Sequence, residues 1–236
     1  MIAIKNISKR FGKFTALNQL NLNLKSGECI ALIGPNGCGK TTLIKSILGM
    51  VLPEEGQIFF DGKNIKEDIT YRQHIGYMPQ IGRYPENMTI RQVIEMIKSI
   101  RSDQTDLDMD LYHQFEIEKM LHKKMRTLSG GTTQKVSAVL AFMFNAKVLI
   151  LDEPTAGLDP IAADILKEKI VLAKEQGKLI LITSHILSEL EDTVSQVIFM
   201  QEGKLILHQN VPELRAHTGQ ETIAKSIVHL LKAQEA

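Results

Sequence analysis

The chain has 236 residues, 44% hydrophobic and 23% charged, with 28 basic against 27 acidic side chains and a net charge of +1. This composition excludes a disordered or low-complexity protein, and the near-neutral balance, without any basic block interleaved with aromatics, gives no footprint for nucleic acid. The two cysteines form no disulfide framework, the apolar runs fall far short of the roughly 20 residues that cross a bilayer, and the N-terminus lacks the apolar core of a secretory signal, so a cytosolic location is expected.

In chain order, Ile2-Ala3-Ile4 opens an antiparallel β layer. Leu20-Asn21-Leu22-Asn23-Leu24 alternates apolar with polar at period two, the pattern of a strand with one wet face. Ser26-Gly27 then turns into Cys29-Ile30-Ala31-Leu32-Ile33, a strand with Cys29 in the core. Directly after it stands Gly34-Pro35-Asn36-Gly37-Cys38-Gly39-Lys40-Thr41-Thr42, followed by a helix predicted from Thr42 to Leu48. The glycines let backbone N–H groups turn inward around an anion, Lys40 sets a charge on the outer phosphates, and Thr41 offers a hydroxyl to Mg²⁺. The helix N-terminus completes the cradle. A nucleoside triphosphate site is the reading, with Cys38 set against the phosphates.

Gln57-Ile58-Phe59-Phe60 reads as a strand closed by Asp61-Gly62, and His74-Ile75-Gly76-Tyr77-Met78 as a core strand that delivers Gln80. From about Ile81 to Thr127 the pattern turns helical. Thr89 is the expected N-cap of a helix with Ile90, Val93, Ile94, Ile97 and Ile100 on one face, residues 102–106 break it, and a second helical stretch is predicted beyond. The loop from Gly82 to Met88 is expected to present Tyr84 and Met88 outward. Thr133 to Phe144 reads as a helix opening on Gly130 and Gly131, so that Ser129 and the N–H groups after it form a second anion site. Val148-Leu149-Ile150-Leu151 is a buried strand ending in Asp152-Glu153. Pro160 to Lys174 is helical, and Lys178 to Ile182 is a strand ending at Thr183-Ser184-His185. Gln196 to Met200, Glu202-Gly203 and Lys204 to Leu207 make a closing hairpin. The last helical stretch puts Ile223, Ile227, Val228, Leu230 and Leu231 on one face, for packing on the core or for a partner.

Leu128-Ser129-Gly130-Gly131 with Gln134-Lys135-Val136, set in order with the phosphate loop, Gln80, Asp152-Glu153, Ala156-Gly157-Leu158-Asp159 and His185, resembles the ATP-binding-cassette (ABC) family over about residues 2 to 210. The resemblance implies an α/β fold: a P-loop NTPase, ABC-type nucleotide-binding domain with a RecA-like core, an antiparallel β layer and a helical subdomain inserted at about 81–135. That domain would occupy residues 1–218, and 219–236 a short C-terminal helix. The cofactors implied are ATP and Mg²⁺. Thr41, Gln80 and Asp152 would hold the metal, Glu153 would be the general base, and Gln80 and His185 would attend the γ-phosphate. Gly34, Pro35, Asn36, Gly37, Cys38, Gly39, Lys40, Thr41 and Thr42 would bind the nucleotide. Phe11 would stack on adenine, or else be an ordinary core residue. Family members act as homodimers across two ATP, so Ser129, Gly130, Gly131 and Asp159 would close on the other subunit's nucleotide. Two departures from the family pattern are Thr132, where Gln is usual, and Ala156, where many members have Ser.

A single cassette of this kind implies a partner, an integral membrane permease subunit, with the chain peripheral on the cytoplasmic face of the inner membrane and a periplasmic accessory protein reached through the permease. The alternative is a soluble ABC ATPase of a cofactor-assembly scaffold. Asp152-Glu153-Pro154-Thr155-Ala156-Gly157-Leu158-Asp159-Pro160 is similar to the ABC-2 exporter-like branch. The run from Leu128 to Phe142 looks more narrowly like the ATPase subunit of the copper-linked system that matures nitrous oxide reductase.

Overall fold

The computed structural model describes residues 1–184 and 191–235, the last three by backbone alone. The elements in chain order are β1 (Ile2–Phe11), β2 (Phe14–Leu24), β3 (Cys29–Ile33), α1 (Lys40–Ile47), β4 (Glu55–Phe60), β5 (Lys63–Asn64), β6 (Ile75–Met78), α2 (Ile90–Ile100) and α3 (Asp110–Gln114). There follow α4 (Gly130–Phe142), β7 (Val148–Asp152), α5 (Pro160–Glu175), β8 (Leu179–Thr183), β9 (Gln196–Gln201), β10 (Lys204–Asn210), α6 (Val211–Thr218) and α7 (Ile223–Glu235). They form two compact units: Met1–Tyr71 with the described residues from Leu181 onward, and Arg72–Ile180.

In the first unit, β2, β1, β4 and β5 lie in that order in an antiparallel sheet. Ile2 pairs with Leu24 and Ile4 with Leu22, so the alternation read from β2 sends its leucines to the buried face. A bulge follows, where Asn6 and Gln19 take left-handed backbone and Asn6 and Asn21 exchange hydrogen bonds of 2.6 and 3.0 Å. β3 has every residue buried and pairs parallel with β9, while β10 returns antiparallel on β9. This fits the rule that parallel strands covered on both faces read as continuous apolar runs.

Beyond β10 the chain forms a helix that the sequence reading stopped short of. Asn210 caps α6 by accepting from the Glu213 N–H at 2.8 Å, and Gly219 ends it in left-handed backbone. Glu191 then ties the last two helices together, accepting from Arg215 at 2.8 Å and from the Ile223 N–H at 2.7 Å. Ile223 and Ile227 of α7 are buried, and Ile227, Leu230 and Leu231 line a cavity of about 180 Å³ with Phe199, Ile206 and Leu207. Val228 is 50% exposed, so the apolar face is narrower than its spacing predicts, and packing on the core accounts for the rest.

In the second unit, β6 and β7 pair parallel from Ile75↔Val148 to Met78↔Leu151. α4 lies so close against β6 that a Cβ at Gly76 would strike the Ala141 carbonyl oxygen. Thr89 caps α2 through a full capping box with Gln92. The predicted second helix is instead the short α3 followed by two 3₁₀ turns at 117–120 and 125–127. Glu116 in left-handed backbone breaks it, and the Met125 and Arg126 N–H groups are spent on the carbonyls of Met88 and Glu86, outside any helix. Buried Lys169 on α5 reaches Asp108 at 2.7 Å and Asp110 at 3.0 Å. Burial works against its charge, but those hydrogen bonds outweigh it and raise its pKa.

Candidate functional site

The phosphate loop is shaped by close backbone approach. Gly34 leaves β3 at φ +151°, and a Cβ there would run into the Met200 carbonyl oxygen and lie 2.7 Å from the Cys38 sulfur. Gly39 starts α1 at φ +110°, where a Cβ would meet the Ala16 carbonyl oxygen. Pro35, Asn36, Gly37 and Thr41 are exposed and Thr42 half-buried, its carbonyl accepting from Ser46 at 2.8 Å. Lys40 Nζ is drawn over the loop, donating to the Gly34 and Pro35 carbonyls at 2.6 and 3.2 Å and lying 3.9 Å from Cys38 Sγ. Cys38 itself is only 3% exposed. Its side chain is tucked beneath Gly34, which corrects the expectation of a thiol presented to the phosphates.

The paired acids belong to the second unit. β7 is buried throughout and ends at buried Asp152, whose charge, after burial, contributes to raising the Tyr77 hydroxyl pKa. The next residue, Glu153, turns to φ +51°, a left-handed conformation that costs a residue with a Cβ about 1–2 kcal/mol. Its donors include one to the carboxylate and two to the backbone carbonyl. Gln80 Nε2 donates to Glu153 Oε2 at 2.9 Å, Gln134 Nε2 to the Glu153 carbonyl at 3.2 Å, and the Ala156 N–H to the same carbonyl at 3.1 Å. Gln80 and Glu153, 73 residues apart, are thus brought together.

Ser129 caps α4, accepting from the Thr132 N–H at 3.2 Å. The Thr132 hydroxyl, the family departure, lies 2.9 Å from the Ser129 hydroxyl, so the threonine joins the cap. Gly130 has open space where a Cβ would go, whereas at Gly131 it would lie 2.6 Å from the Gly157 carbonyl oxygen. The turn after the paired acids therefore rests on the first turn of α4. Asp159 caps α5 through the Ala162 N–H at 2.9 Å and pairs with Lys135 of α4 at 2.8 Å. Phe11 is 51% exposed, with Lys9 Nζ 5.4 Å from its ring centroid, which removes the core alternative and leaves a ring face near the surface. His185 lies outside the described residues.

The loop after Gln80 differs from expectation. Tyr84 is half-buried, its hydroxyl 3.0 Å from Ser137 on α4, and burial raises its pKa. Met88 is half-buried too, and the backbone pairs with 123–126. The outward apolar side chain is Ile81, 68% exposed. Gln134 and Lys135 were also missed as site residues. The available signal was a long polar side chain at 134 on the α4 face shared with Ala138 and Ala141.

Residues 17–156 match the ABC transporter family. The chain is 33% identical over 210 residues to a lantibiotic transport ATP-binding protein of Streptococcus pyogenes, covering 89% of this chain and 90% of that one. A solved ATP-binding subunit of an ABC transporter superposes with a TM-score of 0.90 at 28% identity, over 98% of this chain and 99% of the other. A dimeric bacterial ABC transporter cassette, 24% identical, shares the fold with a TM-score of 0.79 over 89% of this chain and 99% of its own.

Proposed function

The chain belongs to the ABC transporter family, as an ATP-binding subunit and an ATPase, and from that membership we propose that its closing around two ATP molecules drives a membrane permease. The observation that carries the catalytic assignment is the Gln80 amide on the Glu153 carboxylate, 2.9 Å apart at the end of a buried strand. Phosphoryl transfer to water needs an oriented nucleophile and neutralised charge more than covalent chemistry. Glu153 takes the proton of the attacking water, and Gln80 sets the direction of the carboxylate. Lys40 and the loop Gly34 to Thr42 bind the phosphates, Phe11 stacks on adenine, and His185 attends the γ-phosphate.

By family membership, Thr41, Asp152 and Gln80 would be the ligands of Mg²⁺: a hydroxyl, a carboxylate and an amide oxygen are hard donors of the kind that ion takes, and once bound it would neutralise phosphate charge. In the dimer, Ser129, Gly130, Gly131 and Asp159 face the partner subunit's nucleotide. Exposed Ile81 beside Gln80 supports a permease contact. Among the described residues no helix is long and apolar enough to cross a membrane, and we place the chain on the cytoplasmic face of the inner membrane, beside its permease. The scaffold-ATPase alternative is not favoured, since the relative of near-equal length is named for transport.

The test is Glu153→Gln, which should keep ATP binding, lose turnover by about 100-fold or more and hold the dimer closed on a sizing column with Mg-ATP. Hydrolysis at the parental rate would remove Glu153 from its role. For the cargo we propose copper-site maturation of nitrous oxide reductase, with a periplasmic accessory protein, on the likeness of the run Leu128 to Phe142. A strain lacking this chain should then make reductase short of copper, and normal copper content would overturn that assignment.

A further inference from the structure

Gln134 is 4% exposed, on a face of α4 otherwise filled by small and apolar side chains such as Ala138 and Ala141. A buried amide needs partners, and this one takes backbone carbonyls rather than side chains: Glu153 O at 3.2 Å and Pro154 O at 3.5 Å. The first of these belongs to the residue in left-handed backbone, whose carbonyl already accepts from the Ala156 N–H at 3.1 Å. Gln134 thus uses the second lone pair of that oxygen. Left-handed backbone at a residue with a Cβ persists only where its surroundings over-determine it. The side chains that meet this residue include Gln80, from the loop after β6, at the carboxylate and Gln134, from α4, at the backbone.

We propose that Gln134 is a positioning residue for ATP hydrolysis, fixing the backbone of Glu153 and through it the direction of the carboxylate. This rests on the assignment of Glu153 as the base. Gln134 is buried and spends its amide on the Glu153 and Pro154 carbonyls, so its loss acts on the chemical step through Glu153. A base displaced by a fraction of an ångström loses rate while the phosphate loop, which holds ground-state affinity, is untouched.

Gln134→Met keeps the volume and removes the donor. It should fold, bind ATP within about twofold of the parent, keep KM, and lose about 10- to 100-fold in kcat. Gln134→Glu gives a readout that a packing role would not. The introduced carboxyl faces two carbonyl oxygens and can donate only when protonated, so its kcat relative to the parent should rise as pH falls from about 8 to about 6. Parental kcat in Gln134→Met, or a flat kcat ratio across that range in Gln134→Glu, overturns the proposal. Should Gln134→Met fail to fold, the ratio alone decides it. Glu153→Gln assayed beside them separates the two claims. If it turns over normally the base assignment fails, and if it is inactive while Gln134→Met is unimpaired only the positioning role fails.

Discussion

Lys135 Nζ and Asp159 Oδ2 stand 2.8 Å apart, joining the helix behind the signature to the residue that caps α5. The Lys135 hydrogen bond, then the Ala162 N–H, holds the Asp159 carboxyl below its ordinary value of 3.8. A group whose pKa is lower folded than unfolded stabilises fully above the unfolded value and loses that contribution as pH falls through the folded one. Asp159→Asn keeps a capping oxygen but not the charge. Its thermal midpoint should lie below the parent's at neutral pH, and the gap should close as pH drops below 3.8. A gap that widens in acid would show the carboxylate to be destabilising.

Adjacent glycines of the signature should respond differently to the same methyl group. Gly131→Ala drives a Cβ to 2.6 Å from the Gly157 carbonyl oxygen, a backbone atom that cannot swing away. It should cost about 1–3 kcal/mol in urea unfolding. Gly130→Ala meets nothing within 4 Å and should stay within about 0.5 kcal/mol of the parent. Equal effects would mean that the turn at Gly157 yields freely.

If, as proposed, Lys40 and Ser129 belong to opposite halves of a nucleotide site shared between subunits, Ser129→Arg and Lys40→Ala should each be inactive alone, and mixing them restores one site per heterodimer. ATPase activity should return on mixing, to at most about a quarter of the parent for random pairing. Normal hydrolysis by Ser129→Arg alone would rule out a shared site.

Both thiols are enclosed, Cys29 fully and Cys38 at 3% exposure. Maleimide should label the native protein slowly and two thiols per chain in guanidinium, with Cys38→Ser leaving the native labelling rate unchanged. Fast labelling of the native protein that Cys38→Ser abolishes would show that the loop opens.

Those parts of the fold and site that are written in local spacing were legible in the sequence. The strand at 29–33 and the N-cap at Thr89 follow from which residues can bury or cap and stand where expected, while the alternation at 20–24 marks only the last part of β2, which begins six residues earlier at Phe14. α6 carries its own signals in Asn210, Pro212 and Gly219, but it is short and directly follows a hairpin that already reads as a closing element. What could not be read depends on distant backbone. Gln134 is recognised by carbonyls 19 and 20 residues away, Tyr84 by a hydroxyl 53 residues away, and Cys38 is covered because Gly34 lies against Met200. No periodicity encodes such meetings.

The pairing of β3 with β9 also sets a schedule for synthesis. Ile30 to Ile33 find Gln196 to Phe199 as partners, 166 residues later (196 − 30), whereas Arg72–Ile180 is one continuous stretch. At about 5–20 residues per second, a ribosome leaves that first apolar strand without its neighbour for roughly 10–30 s. The unit finished first is the one carrying the signature and the paired acids, and the phosphate loop is completed only when the last quarter of the chain arrives. A nascent chain stalled before residue 196 would carry five consecutive buried-type residues at 29–33 with no β9 to cover them, and chaperone occupancy during translation should concentrate there.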